Sequence, residues 1–171
     1  QDEAQWLGWL TITDGQLAHL RPLQQIAEEA RSGGFRDAAV LGMGGSSLCP
    51  EVLSLTFGKQ AGYPELHVLD STDPAQIAAF EKKLDLANTL FIVSSKSGTT
   101  LEPNIYQAYF YDRVQQTLGA DKVGNRFVAL TVPRPKMESV AHSQECRHGA
   151  YGLPRRGARE SAAPEVGRAP G

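Results

Sequence analysis

Two short stretches hold residue types whose spacing could do chemistry. Ser94-Ser95-Lys96-Ser97-Gly98-Thr99-Thr100 packs five hydroxyls, a lysine and a glycine into seven residues. It stands between an apolar run and the start of a helical segment, so it offers many short donors around a small concavity, with the helix adding unpaired N–H groups and a positive dipole end. That is a setting for a phosphate. Hydroxyls with one lysine carry modest charge, suited to a monoester that must also leave. Ser and Thr serve as N-caps and turn formers at many such junctions, which accounts for one or two of the five.

The second stretch, Leu41-Gly42-Met43-Gly44-Gly45-Ser46-Ser47-Leu48, also joins an apolar run to a helical segment. Its glycines permit positive φ and close approach of a ligand to the backbone. A dinucleotide fingerprint would need a further Gly three positions after Gly44, where Ser47 stands. A P-loop would need Gly-Lys-Ser/Thr at its end, which is absent. Other candidates read as structural. Glu102 and Pro103 suit a first helical turn, Asp70-Ser71-Thr72-Asp73-Pro74 combines a helix start, the favoured role, with a place at the edge of the pocket, and His67 within an apolar run reads as a satisfied core histidine. His19 falls on an amphipathic helix facing solvent, and His142 and His148 fall in an irregular tail.

The elements that must position these loops follow from periodicity. Apolar residues at helical spacing predict one amphipathic helix over 14–31, bent near Pro22 and followed by Gly33-Gly34. Four apolar runs, 38–41, 66–69, 90–93 and 127–130, predict buried strands, and the segments 48–57, 74–84 and 101–118 predict crossover helices between them. Strands alternating with helices predict an α/β fold, a three-layer sandwich with a parallel sheet flanked by helices. Ligands of such sheets bind outside the carboxyl ends of the strands, where both loops lie.

The 171 residues suffice for one ordinary domain. A net charge of -2 gives no field that would gather nucleic acid or an anionic membrane, and no run approaches the roughly 20 apolar residues that span a bilayer. Cys49 and Cys146 are too few for a disulfide framework and lack the paired spacing of a zinc site, so a cytoplasmic location and no metal are expected. Residues 133–171 draw more than half their number from Ala, Gly, Pro and Arg, without apolar periodicity. The expected organisation is therefore a lead-in with an amphipathic helix over 1–34, a ligand-binding domain over 35–131 and an irregular tail over 132–171.

Gly42-Met43-Gly44-Gly45-Ser46-Ser47-Leu48 and Ser95-Lys96-Ser97-Gly98-Thr99-Thr100-Leu101-Glu102 resemble the two sugar-phosphate-binding loops of the glucose-6-phosphate isomerase family, in its sugar isomerase (SIS) domain. Leu7-Gly8-Trp9-Leu10, Leu48-Cys49-Pro50-Glu51 and His67-Val68-Leu69-Asp70-Ser71-Thr72-Asp73-Pro74 look like the isomerase half of bifunctional transaldolase/glucose-6-phosphate isomerase chains. The resemblance implies that Ser95, Ser97 and Thr100 bind the sugar phosphate, that Lys96 contributes its backbone N–H, and that Gly45 and Ser46 line the sugar. It implies conversion of glucose 6-phosphate to fructose 6-phosphate through an enediolate, with no metal or organic cofactor. A homodimer, or an upstream transaldolase domain in a longer chain, is implied as well.

Developing enediolate charge needs a preorganised cation. Tyr151-Gly152-Leu153-Pro154 precedes Gly157-Ala158-Arg159-Glu160-Ser161, and the resemblance aligns Arg159 with the family's arginine, with Ala158 in place of a glycine and Glu160 in place of an aromatic. The tail is thus expected to be truncated or frame-shifted family sequence. The family's catalytic carboxylate, ring-opening histidine and late lysine are expected beyond this stretch of sequence, which makes the chain an N-terminal fragment, inactive alone. The alternative is a non-catalytic SIS module that binds a phosphosugar and regulates a partner. Opening on Gln1 also fits an internal part of something longer.

Overall fold

A computed structural model of the chain describes residues 20–131 and, before them, residues 7, 10 and 12–17. The described residues fall in two compact units. The first contains α1, Ile12–Leu17. The second contains α2 (Leu20–Ser32), β1 (Asp37–Leu41), α3 (Gly45–Phe57), β2 (Glu65–Leu69), α4 (Pro74–Glu81), β3 (Thr89–Ser94), α5 (Leu101–Leu118), α6 (Ala120–Val123) and β4 (Phe127–Leu130). Short 3-10 turns at Leu86–Asn88 and Gly124–Arg126 lead into β3 and β4.

The four expected strands form, and all pair in parallel in the order β2-β1-β3-β4. Leu41 stands beside both Leu69 and Val93, so the strands end nearly level. The chain steps from β1 to β2 on one side and then crosses back to β3 on the other. Right-handed crossovers therefore place α3 on one face of the sheet and α4 with α5 on the opposite face. This is the expected α/β sheet flanked by helices.

The core lies on the α4/α5 face. Alternating residues Ala39, Leu41, Phe91, Val93 and Phe127 point to it and meet Phe80 of α4 and Tyr106, Phe110 and Val114 of α5. Phe91 stacks on Phe110 and on Phe127 at ring centroid distances of 5.1 and 5.0 Å. His67 joins this face edge-on to Phe80, and its Nε2 lies 3.0 Å from Oδ1 of the buried Asp37, as expected of a satisfied histidine.

Three expectations need correction. The single helix over 14–31 is two helices, α1 and α2, which belong to different units. α2 begins at Leu20, which puts Pro22 in its first turn, where the missing N–H costs no helical bond. The helix expected to reach 84 ends at Glu81, and its continuation is a turn in which the N–H groups of Lys83 and Leu84 donate to Phe80 and Glu81. Finally, β2 and β4 are the sheet edges among the described residues and are partly exposed rather than buried on both faces.

Candidate functional site

The strand order reverses between β1 and β3, and the crevice at such a reversal is where ligands of open α/β sheets bind. The loops that leave those two strands are the glycine-rich and hydroxyl-rich stretches. They therefore sit side by side, since Leu41 and Val93 are register partners and neighbouring strands lie about 5 Å apart.

In the first loop, Gly42 N–H donates to Leu69 O and extends the β1–β2 ladder by one bond. A Cβ on Gly42 would come within 3.1 Å of the Ser46 backbone, so a side chain there would crowd the turn against the start of α3. Gly44 has φ of 59° and starts α3, accepting at its carbonyl from Ser47 N–H, Leu48 N–H and Ser47 Oγ. Gly45 and Ser46 occupy the first turn of α3, and a Cβ on Gly45 would meet nothing within 4 Å. A ligand can therefore approach the backbone at Gly45 closely, while Ser46 N–H donates to Met43 O at 3.3 Å. Ser47, in contrast, is buried and committed to the helix start.

The second loop is held by its own hydroxyls. Ser95 N–H donates to Leu130 O at 3.0 Å, which fixes the loop's root to β4. Ser95 Oγ, buried, accepts from Gly98 N–H at 3.1 Å and donates to Thr100 Oγ1 at 3.1 Å. Ser97 Oγ accepts from Thr99 N–H and Thr99 Oγ1 and lies 3.4 Å from Thr100 Oγ1. Gly98 has φ of 69°, the left-handed conformation that this tight return requires. Lys96 is exposed, and its carbonyl lies 3.5 Å from Thr131 Oγ1.

Serine and threonine were expected in part to cap the following helix, and the geometry divides that role. Ser95 and Ser97 do form local turns to backbone N–H groups. Thr100 occupies the N-cap position of α5 but makes no side-chain cap bond, because its hydroxyl is drawn back into the loop by Ser95 and Ser97. The first turn of α5 is thereby left without a side-chain acceptor, and buried Pro103 removes one donor from it. An anion placed there would meet N–H groups, hydroxyls and a dipole end together.

Of the residues singled out from sequence, Ser95, Ser97 and Thr100 come together through direct contacts, and Lys96 lies between them in the same loop. Gly45 and Ser46 stand across the crevice at the start of α3. Arg159 lies outside the described residues, as do His19, His142, His148 and the whole of 132–171. Asp73 caps α4 by accepting from Gln76 N–H at 2.9 Å, the structural role expected of its loop.

One residue was missed. Tyr106, buried on α5, donates its hydroxyl to Met43 Sδ at 3.3 Å and so ties α5 to the first loop. Burial pushes its hydroxyl pKa up, and the charges of Glu102 and Asp70 add to the effect. The spacing of Pro103, Tyr106, Phe110 and Val114 along one helical face was the available signal, but it identifies only a core position.

The sequence model of phosphoglucose isomerase matches residues 17–145. The chain belongs to the phosphoglucose isomerase family. A glucose-6-phosphate isomerase of Xanthobacter autotrophicus is 34% identical over 125 residues, which are 73% of this chain and 21% of that one. Two solved structures share the fold. A hypothetical protein from Thermus thermophilus aligns at a TM-score of 0.67 with 27% identity, over 84% of this chain and 33% of its own. A glucose-6-phosphate isomerase from Chlamydia trachomatis aligns at 0.62 with 29% identity, over 72% of this chain and 24% of its own. The chain thus spans about a fifth to a third of the length of these family relatives. Among the described residues, no His, Cys, Asp and Glu group could hold a metal ion, and no helix is long and apolar enough to cross a membrane.

Proposed function

We propose that this chain carries the phosphate-gripping part of a sugar-phosphate isomerase that interconverts glucose 6-phosphate and fructose 6-phosphate. The carrying observation is the placement of the linked Ser95, Ser97 and Thr100 hydroxyls beside the glycine-rich loop, at the point where the strand order reverses. Three hydroxyls and the N–H groups of two loops match the oxygens of a monoester, and family membership supplies the substrate class.

In this reading Ser95, Ser97 and Thr100 hold the phosphate with Lys96 N–H, while Gly45 and Ser46 present backbone to the sugar. The grip anchors the substrate so that a carboxylate elsewhere in the family fold can move a proton between C1 and C2. Arg159 would balance the enediolate charge. The part of the isomerase that moves the proton is not among the described residues, so the 171 residues bind sugar phosphate and turn over little or none.

Titration with 6-phosphogluconate, followed by the shift of loop amide resonances, tests the grip. Ser95→Ala and Thr100→Val should each weaken binding about tenfold, the loss of one charge-assisted hydrogen bond. Unchanged affinity in both would refute the assignment. Robust isomerisation of glucose 6-phosphate by the isolated chain in a coupled assay would refute the fragment reading and leave the phosphate site standing.

A further inference from the structure

The Tyr106 hydroxyl is buried, and among the described residues its hydrogen bond goes to Met43 Sδ at 3.3 Å. A thioether is a weak acceptor, so the bond adds little to stability, and a phenylalanine would fill the same core position without a polar atom to desolvate. Phe91, Phe110 and Phe127 do so in the same cluster. Burial, with the charges of Glu102 and Asp70 added, raises the hydroxyl pKa and keeps its proton available to the sulfur. A hydroxyl that core packing does not need points to a role at the end it reaches, the glycine-rich loop of the crevice.

Met43 is the handle of that loop. In Gly42-Met43-Gly44-Gly45 it alone has a side chain larger than hydrogen, so side-chain contacts can fix the stretch only through Met43. The side chain is half-buried against the core cluster. Three rotatable bonds let a methionine settle in several rotamers, and a bond at the sulfur selects among them. The backbone carries the constraint onward: Met43 O accepts from Ser46 N–H at 3.3 Å, so the first turn of α3 follows Met43. On the other side, Tyr106 stands on the helix whose N-cap is Thr100, about 9 Å along the axis by the rise of an α-helix. Thr100 is itself bonded to Ser95 and lies 3.4 Å from Ser97. One helix therefore joins the hydroxyl loop to the glycine-rich loop through the bond from Tyr106 to Met43.

We propose that Tyr106 is a positioning residue for the sugar side of the crevice: through Met43 Sδ it holds the Gly44-Gly45-Ser46 turn in fixed register with the Ser95, Ser97 and Thr100 hydroxyls. A ligand that spans both loops, a phosphate with a polyol chain, depends on that register. A ligand that fills the hydroxyl loop only, such as inorganic phosphate, does not. The proposal rests on the phosphate reading of the hydroxyl loop for its ligand, and on the contacts themselves for the linkage.

The test titrates the 171-residue chain with inorganic phosphate and with 6-phosphogluconate and follows its loop amides by NMR. Tyr106→Phe should weaken 6-phosphogluconate about fivefold, the coupling of a contacting pair, and leave inorganic phosphate unchanged. Its melting temperature should not fall, since only a weak acceptor is left unpaired. In the unliganded variant the amides of Gly44, Gly45 and Ser46 should broaden, while those of Gly98 and Thr99 stay sharp. Met43→Leu, which removes the acceptor, should reproduce the selective loss, and the double variant should lose no more than either single one. Unchanged 6-phosphogluconate affinity in Tyr106→Phe would overturn the proposal, as would losses that multiply in the double variant. Equal weakening of both ligands with a lower melting temperature would reduce Tyr106 to a packing residue, and unshifted, sharp loop amides would overturn the linkage whatever the ligands do. A wild-type chain that binds neither ligand refutes the phosphate site and not the linkage, because the loop amides read the linkage without a ligand.

Discussion

At the scale of residues, the hydroxyl loop works because few of its polar atoms act alone. Buried Ser95 both accepts from Gly98 N–H and donates to Thr100, so the loop closes on a side chain rather than on solvent. That closure requires the left-handed backbone of Gly98. Gly98→Ala places a Cβ where φ is 69° and should cost about 1–2 kcal/mol of stability, read as a lower urea midpoint. It should also weaken 6-phosphogluconate binding, because the Ser95 to Thr100 link depends on the same return. A Gly98→Ala variant with unchanged midpoint would show that the loop relaxes freely. The residue types of this loop were legible in the sequence because five hydroxyls in seven residues exceed what capping uses. Their division was not legible. Whether Thr100 caps α5 or turns back to Ser95 depends on where β4 holds the loop's root, and sequence carries no trace of that contact.

Among elements, α4 and α5 are locked to each other by one carboxylate. Glu81, the last residue of α4, accepts from Tyr109 and from Arg113 Nε at 2.7 Å, both on α5. Burial alone would raise its pKa, but the Tyr109 hydroxyl and the Arg113 guanidinium outweigh burial and hold it below the ordinary carboxylate range. Tyr109 responds in the matching direction, its pKa raised first by its bond to Glu81. A depressed carboxylate stabilises the fold above its unfolded value near 4.5, and that contribution disappears as pH falls through the lower folded value. Glu81→Gln should therefore lower the melting temperature by a few degrees at pH 7, and the difference from wild type should shrink as the pH drops below about 4. A constant difference across that range would remove the carboxylate from the account. Helix boundaries follow a similar logic. Pro22 suggested a bend within one helix, yet proline is tolerated in a first turn, and the start of α2 at Leu20 could not be read from an apolar periodicity that runs on through residues 17 to 30.

For the molecule as a whole, strand order was the part that sequence could not provide. The four apolar runs and their intervening helices predict a parallel α/β sheet, but nothing in them distinguishes the order β2-β1-β3-β4 from a simple progression. That order decides the site, since it alone makes the loops after β1 and β3 neighbours. It also decides the energetics, because β1 and β3 become the central strands, buried on both faces except for half-buried Ile92, while β2 and β4 are only partly buried. The same substitution on a central and on an edge strand should expose the difference. Val93, 2% exposed, lies in the core cluster on the α4/α5 face, and Val68 points to the α3 face and is half-buried. Val93→Ala removes two buried methyl groups and leaves a cavity, a cost of about 2–3 kcal/mol, which is a large share of the roughly 5–15 kcal/mol that stabilises a domain. Val68→Ala forfeits only the fraction of that area already removed from water, about half as much. Urea unfolding of both variants measures the ratio. Equal costs would mean that β2 is as well packed as the centre of the sheet.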